Sequence, residues 1–220
     1  MNGSSVFKWT KEYLVSIMST GKDPILKDPL IINAFTQIDR SDFVPELLKS
    51  KAYNDLELDI GFNEKLSRPT VIAQMIALLQ PKLGGKYLDI GSGTGYSAAV
   101  LGFIVGENGK VYSLERVQWL WEQARSNIQK YPKLVQNVQY VYKDGLEGLV
   151  NQAPFDGIHI AFAIDKIPES LLMQLKMDGG RLIAPTTDLS IRIIQRNSKD
   201  DYEEEIVPGF TFEKFKEGIA

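Results

Sequence analysis

The feature that most constrains this chain is a glycine-rich segment, Asp89-Ile90-Gly91-Ser92-Gly93-Thr94-Gly95-Tyr96. An apolar strand pattern precedes it at 86–90, and a helical pattern follows at 96–105. Glycines at a strand-to-helix turn allow a tight bend and a close approach of the backbone to a ligand. The turn is not the G-x-G-x-x-G dinucleotide fingerprint, because Tyr96 stands where the third glycine would be.

Strand and helix patterns alternate through the rest of the chain. Strands are expected near 86–90, 111–114, 138–142, 157–163 and 181–184, and helices near 96–105, 119–128 and 168–175. This alternation predicts an α/β fold, a Rossmann-like doubly wound and mostly parallel sheet. The segments 189–195 and 202–207 flank a polar turn and predict a C-terminal antiparallel hairpin.

The first part of the chain predicts an N-terminal helical extension. Pro29 and Pro69 each suit the first turn of a helix whose apolar residues share one face. The apolar stretch within residues 1–21 is too short for a secretory core or a membrane span, so a cytosolic helix is expected there. The whole chain is expected to form a single domain, 1–220.

Composition excludes several kinds of chemistry. The 220 residues contain no cysteine and one histidine, and their formal net charge is −3. Thiolate zinc sites, cysteine nucleophiles and histidine-based triads are therefore excluded, and a nucleic-acid partner is not expected without a basic surface. The histidine, His159, lies in an apolar strand pattern, which predicts a packed and hydrogen-bonded imidazole.

Acidic residues at successive strand ends indicate the ligand. Asp89 would repel a pyrophosphate but attract the amino or sulfonium group of S-adenosylmethionine. Glu115 ends the next strand and is expected to accept hydrogen bonds from two ribose hydroxyls, while Asp144-Gly145 could reach the adenine amino group. Each feature alone also suits an ordinary turn or helix start. Their joint occurrence in this order predicts a site for S-adenosylmethionine.

Further segments carry a resemblance to a known family. They include Ala34-Phe35, Ile38-Asp39-Arg40-Ser41-Asp42-Phe43-Val44-Pro45, Ala52-Tyr53-Asn54-Asp55, Ile60-Gly61, Leu66-Ser67-Arg68-Pro69, the glycine loop, Val111-Tyr112-Ser113-Leu114-Glu115-Arg116, Asp144-Gly145, Pro154-Phe155-Asp156 and Gly179-Gly180-Arg181-Leu182. In this order they resemble the protein-L-isoaspartate (D-aspartate) O-methyltransferases, over residues from about 30 to 210. That family binds S-adenosylmethionine and methylates the α-carboxyl of isoaspartyl residues in ageing proteins, which starts repair through a succinimide.

The resemblance implies a set of site residues. Ser67 matches the family's active-site serine, although local sequence alone would favour a helix N-terminal hydroxyl there. The implied cofactor-binding residues are Asp89, Gly91, Ser92, Gly93, Thr94, Gly95, Tyr96, Glu115, Arg116, Asp144 and Gly145. The implied substrate-binding residues are Ile60, Gly61, Leu66 and Arg68, and no metal is implied.

The resemblance also implies a division of the chain and its partners. Residues 1–80 would form the helical cap and the acceptor loop, and residues 81–220 the cofactor-binding core. The expected partners are peptides and proteins that contain isoaspartyl residues, and the enzyme is expected to be a cytoplasmic monomer. A carboxylate acceptor is already ionised at neutral pH, so its methylation needs no general base.

Some positions depart from the family pattern. Glu64-Lys65 replace its glutamine and threonine, Arg68 replaces its second glutamine, and Lys143 stands where glycine is usual. Glu213-Lys214-Phe215 occupy the place of a Val-Pro-Leu stretch that helps to hold the peptide. A methyltransferase for a small acid and a cofactor-binding module without turnover therefore stay open. A nucleic-acid amino methyltransferase is disfavoured, because 161–164 lacks the Asn/Asp-Pro-Pro-Tyr/Phe motif.

Overall fold

A computed structural model describes residues 9–220, so the part of the expected N-terminal helix in 1–8 lies outside the described residues. Helices α1 (Lys11–Ser19) and α2 (Pro29–Gln37) come first. The Thr10 side chain caps α1, and the Asp28 carboxylate caps α2 by accepting a hydrogen bond from the Leu30 N–H at 2.7 Å. No helix in residues 9–220 is both long and apolar enough to cross a membrane.

The remaining elements are a small hairpin and the series of strands and helices that the sequence predicts. In chain order they are β1 (Leu58–Gly61), β2 (Glu64–Leu66), α3 (Pro69–Leu79), β3 (Lys86–Ile90), α4 (Tyr96–Val105), β4 (Lys110–Glu115), α5 (Gln118–Asn127), β5 (Val138–Tyr142), β6 (Gly157–Ile160), α6 (Glu169–Met173), β7 (Gly180–Thr186), β8 (Ser190–Arg196) and β9 (Tyr202–Pro208).

The main sheet has seven strands in the order β5-β4-β3-β6-β7-β8-β9. Strands β5, β4, β3, β6 and β7 are parallel, whereas β7–β8 and β8–β9 are antiparallel. The predicted Rossmann-like sheet and C-terminal hairpin are thereby confirmed. The strand order reverses between β3 and β6, and in such sheets a crevice opens at this point beyond the carboxyl ends of the strands.

The sequence did not predict the small hairpin β1–β2. Its strands pair antiparallel, with Leu58 opposite Leu66, within a stretch expected to be a loop. The turn passes through Phe62 and Asn63 with φ of 58° and 57°. This left-handed backbone is usual for Asn-Gly turns but uncommon for a bulky aromatic residue, so the pair Phe-Asn gave little hairpin signal.

Side chains of the parallel strands alternate between two apolar clusters. In β3, Tyr87 belongs to one cluster, while Leu88 and Ile90 belong to the other. The first cluster also contains the buried residues of α1 to α5, and the second contains those of α6. Because successive strand residues point to opposite faces, β3, β4, β5 and β7 contribute to both clusters and fix the helices relative to the strand ends.

Helix α4 approaches β5 closely at Gly102. A Cβ atom built at this glycine would lie 2.3 Å from the Val138 Cγ2 atom.

Helix propensity alone favours alanine by about 1 kcal/mol, yet we expect Gly102→Ala to lower the free energy of unfolding by about 1–3 kcal/mol through overpacking. Chemical denaturation measures it. In a Val138→Ala background the same substitution should be neutral or stabilising; an equal loss in both backgrounds would refute the steric explanation.

Candidate active site

A pocket lies at the carboxyl ends of β3, β4 and β6. The α/β architecture predicts a ligand site at this edge. The sequence-predicted site residues that line it are Ile60, Leu66, Ser67, Gly91, Ser92, Gly93, Glu115, Arg116 and Gly145. The others, Gly61, Arg68, Asp89, Thr94, Gly95, Tyr96 and Asp144, do not line it.

The glycine loop needs its glycines for conformation and for space. Gly91, Gly93 and Gly95 have φ of 94°, 53° and 98°, in the region that glycine adopts without strain. A Cβ atom at Gly91 would lie 3.0 Å from the Phe162 ring, and one at Gly95 would lie 2.6 Å from the Tyr140 hydroxyl. The backbone of the loop therefore forms part of the pocket wall, as a closely bound ligand requires.

Asp89 lies behind this wall rather than in the pocket. Its side chain is fully buried and accepts hydrogen bonds from the Ser113 hydroxyl at 2.6 Å, the Ser97 hydroxyl at 3.2 Å and the His159 Nδ1 atom at 2.7 Å. Because Ser113 donates its one proton to Asp89, Ser92 is the donor in the short Ser92–Ser113 contact. Asp89 is thus linked to the loop through two serines, and the packed, hydrogen-bonded His159 is confirmed.

Glu115 places a buried carboxylate in the pocket wall. Its side chain is 5% exposed, and its Oε1 atom accepts hydrogen bonds from the backbone N–H groups of Arg116 and Val117, both at 2.9 Å. The Oε2 atom accepts one from the Gly93 N–H at 2.7 Å. Each carboxylate oxygen can accept about two hydrogen bonds, so Oε2 can accept one more from a ligand.

Thr94, Gly95 and Tyr96 carry the loop into α4 and away from the pocket. Tyr96 is buried under the Arg40 guanidinium, which lies 5.6 Å from the ring centroid, and its ring is 5.5 Å from that of Phe43. Burial raises the pKa of the Tyr96 hydroxyl above its ordinary value. These contacts bind the helical extension to the start of α4, so the role of Tyr96 in the structure is packing.

Asp144 contacts the C-terminal strap, a name we give to residues 209–218. Its Oδ2 atom accepts a hydrogen bond from the Gly218 N–H at 2.7 Å. Arg116 donates to the Gly218 carbonyl oxygen at 3.1 Å and to the Glu64 carboxylate at 3.1 Å. Gly145 is buried and lines the pocket beside these groups. The expected adenine end of the pocket is therefore closed by the strap.

Ser67 lies at the acceptor end, two residues before the start of α3. It is not the capping residue of that helix, since Arg68 holds that position and makes no capping hydrogen bond. Asp55 instead accepts from the Thr70 N–H at 3.1 Å and from the Arg68 guanidinium at 2.6 Å. In residues 9–220 the Ser67 hydroxyl has no hydrogen-bond partner, so it is available to a ligand.

The strap supplies the pocket residues that the spacing of motifs did not reveal. Its segment 212–216 lines the pocket and contacts the hairpin β1–β2 through the ion pairs Lys65–Glu213 and Lys216–Glu64. Backbone hydrogen bonds join the Ala163 N–H to the Glu213 oxygen at 2.8 Å and the Phe215 N–H to the Ala163 oxygen at 2.9 Å. In the sequence, the expected departure from the family pattern at 213–215 draws attention to this segment. That departure does not show that the segment lines the pocket. Residues 9–220 contain no cluster of three or more metal-ligating side chains.

Glu115 gives the fold a testable dependence on pH. Burial raises the pKa of this carboxyl from 4.5 to about 7. Between these values the folded state binds more protons than the unfolded state, so the free energy of unfolding falls as the pH rises. Relative to Glu115→Gln, which does not titrate, the wild type should lose up to about 3 kcal/mol between pH 4.5 and 7.5. Denaturation at several pH values measures this; a constant difference would contradict it.

Three comparisons place the chain among known proteins. The profile of the protein-L-isoaspartate(D-aspartate) O-methyltransferase family matches residues 11–210. A protein-L-isoaspartate O-methyltransferase of Bordetella avium is 38% identical over 197 residues, which are 88% of this chain and 73% of the relative.

Two solved structures have the same fold. A protein-L-isoaspartate O-methyltransferase, 27% identical, superposes with a TM-score of 0.80 and covers 94% of this chain, which spans 66% of that protein. A Plasmodium falciparum protein assigned to this activity, solved with S-adenosyl-L-homocysteine, is 24% identical with a TM-score of 0.76 over 87% of this chain and 92% of its own. With a family match over most of its length, the chain belongs to the protein-L-isoaspartate (D-aspartate) O-methyltransferase family.

Proposed function

We propose that this protein uses S-adenosylmethionine to methylate the α-carboxyl group of L-isoaspartyl residues in damaged proteins, which starts their repair. One observation carries the proposal. A single pocket brings the glycine loop and Glu115 together with Ser67, although these groups come from different elements. The chain is an S-adenosylmethionine-dependent member of its family, and we assign roles in this reaction to its individual residues.

The cofactor end of the pocket fits a nucleoside with a charged amino-acid tail. The backbone of Gly91 and Gly93 allows close contact, and the free acceptor position on Glu115 Oε2 suits a ribose hydroxyl. Asp144 would accept a hydrogen bond from the adenine amino group once its hydrogen bond with the Gly218 N–H is broken. When bound, the cofactor supplies an electrophilic methyl group, whose bond to sulfur breaks as a bond to the acceptor oxygen forms.

Asp89 has an indirect role in this proposal. Its carboxylate is shielded from the pocket and satisfied by Ser97, Ser113 and His159. Through the Ser113–Ser92 contact it holds the glycine loop in its bound shape. Its negative charge still favours a cation in the neighbouring pocket, because charges interact more strongly in a weakly polarisable interior than in water.

At the acceptor end, Ser67 would orient the substrate carboxylate through its free hydroxyl. No proton must be removed, because a carboxyl with a pKa of about 4 is already ionised at neutral pH. His159 lines the pocket, but its Nδ1 atom is bonded to Asp89, and the reaction needs no base. Catalysis then comes from alignment of oxygen, methyl carbon and sulfur, an effect of up to roughly 7–11 kcal/mol in favourable cases.

Transfer of labelled methyl from S-adenosylmethionine to an isoaspartyl peptide tests the function. We expect transfer to this peptide and none to the matching normal aspartyl peptide. Calorimetry with S-adenosylhomocysteine measures binding in parallel. Binding without transfer to either peptide would refute the repair function, and a panel of small carboxylic acids would then separate another acceptor from a non-catalytic module.

Ser67→Ala tests the assignment of the acceptor end. Loss of one hydrogen bond to a charged group should lower turnover roughly tenfold to a hundredfold, while the affinity for S-adenosylhomocysteine stays unchanged. Ser50→Ala is a matched control, because Ser50 is exposed and lies outside the pocket lining. Unchanged turnover in the Ser67 variant, or a loss of cofactor affinity, would refute the role.

The proposal extends to the arrangement of the protein in the cell. We propose that the protein is a cytoplasmic monomer of one domain. Residues 1–80 provide the cap and acceptor hairpin, and residues 81–220 provide the cofactor-binding core. The apolar contacts of α1 and α2 with the core cluster support one cooperative unit. Light scattering measures the molecular mass in solution, and a dimer mass would refute the monomer.

A further inference from the structure

An internal carboxylate lies in the pocket of an enzyme that acts on carboxylates. The Lys65 ammonium group, at the edge of the hairpin β1–β2, contacts the Glu213 carboxylate of the strap at 2.7 Å. Both residues line the same pocket as Ser67, and Lys65 precedes Ser67 by two positions. The pair therefore joins the hairpin to the strap within the pocket lining, two residues from Ser67.

We propose that Lys65 is an acceptor-binding residue, and that Glu213 occupies its ammonium group as an internal substitute until the carboxylate of the isoaspartyl substrate displaces it. This inference rests on the proposed function, since it assumes a carboxylate acceptor. An ammonium group can donate hydrogen bonds to either of two carboxylates, because both carry the same charge and offer the same acceptor atoms. The contact with Glu213 thus marks where the acceptor carboxylate binds.

The geometry allows Glu213 to leave while the rest of the pocket stays in place. The strap is held by its main chain, through the two backbone hydrogen bonds with Ala163, so the Glu213 side chain can rotate away without moving it. The Lys65 and Glu213 side chains are 44% and 43% exposed, and an ion pair so exposed is weak. Glu57 lies 3.5 Å from the ammonium group and also lines the pocket.

The other cations around the pocket are less suited to this role. Arg116 and Lys216 both pair with Glu64, and Lys143 contacts Glu147. Lys214 is exposed and has no ion pair in residues 9–220, but it lies on the strap rather than beside Ser67. The pairing with Lys65 lowers the pKa of Glu213, so both partners are charged at neutral pH and compete directly with a charged acceptor.

Steady-state kinetics with an isoaspartyl peptide test the inference. Removal of the competing carboxylate in Glu213→Gln should lower the KM for the peptide about two- to fivefold, the range expected for a weak exposed ion pair. Lys65→Met should raise that KM roughly tenfold through loss of a charge-assisted hydrogen bond. In the double variant the gain from Glu213→Gln should vanish, because it depends on Lys65. The KM for S-adenosylmethionine should stay constant throughout.

Two matched variants separate a specific contact from a general charge effect. Glu217→Gln removes the same charge from an exposed strap position outside the pocket lining and should leave the peptide KM unchanged. Lys214→Met removes a neighbouring cation and should change it less than Lys65→Met does. An unchanged or higher peptide KM in Glu213→Gln, or the same gain with and without Lys65, would overturn the inference.

A second measurement keeps this result distinct from failure of the proposed function. If the wild type transfers no methyl to the isoaspartyl peptide, the proposed function fails. Calorimetry then measures binding of the same peptide to the protein with S-adenosylhomocysteine, and it tests the carboxylate site independently of methyl transfer. Tighter binding in Glu213→Gln and weaker binding in Lys65→Met support the site, and equal binding in all variants overturns it.

Discussion

The buried carboxylate of Asp89 connects β3 to two neighbouring strands and to α4. Asp89 lies directly opposite Ser113 of β4 and His159 of β6 in the register of the parallel sheet, and both donate to it. Ser97 of α4 adds a fourth element. A buried charge is costly unless hydrogen bonds satisfy it, so these partners are required rather than incidental. Their arrangement fixes the strand ends from which the pocket is built.

The pocket itself is a meeting of segments that are distant in sequence. The central strands supply the glycine loop and Glu115, the hairpin β1–β2 supplies Lys65, the segment directly after it supplies Ser67, and the C-terminal strap supplies residues 212–216. Ion pairs between the hairpin and the strap join two segments that lie 148 positions apart. The segment that contains Lys65 and the strap therefore form one connected structural unit.

The helical extension stabilises the loop from the other side. Arg40 lies over the ring of Tyr96, which begins α4 directly after the glycine loop. Burial lowers the pKa of Arg40 to about 10, well above neutral pH, so the guanidinium stays charged. Its attraction to the aromatic face and the packing of Phe43 hold the extension against the helix that carries the loop. The cap is therefore tied to the cofactor side through Tyr96 as well as to the acceptor side through the hairpin.

Elements whose signals are local could be predicted from the amino-acid sequence. Helix α4 and strand β5 have the predicted bounds, because apolar periodicity and glycine turns act over a few residues. Which strand-end residues line the pocket depends on the tertiary structure. Asp89 and Glu115 are both acidic residues near the ends of neighbouring strands, yet Asp89 lies outside the pocket lining and Glu115 is part of it. The tertiary structure also decided that the strap crosses the pocket and brings Glu213 to Lys65, because such a contact depends on packing between segments that no local pattern connects.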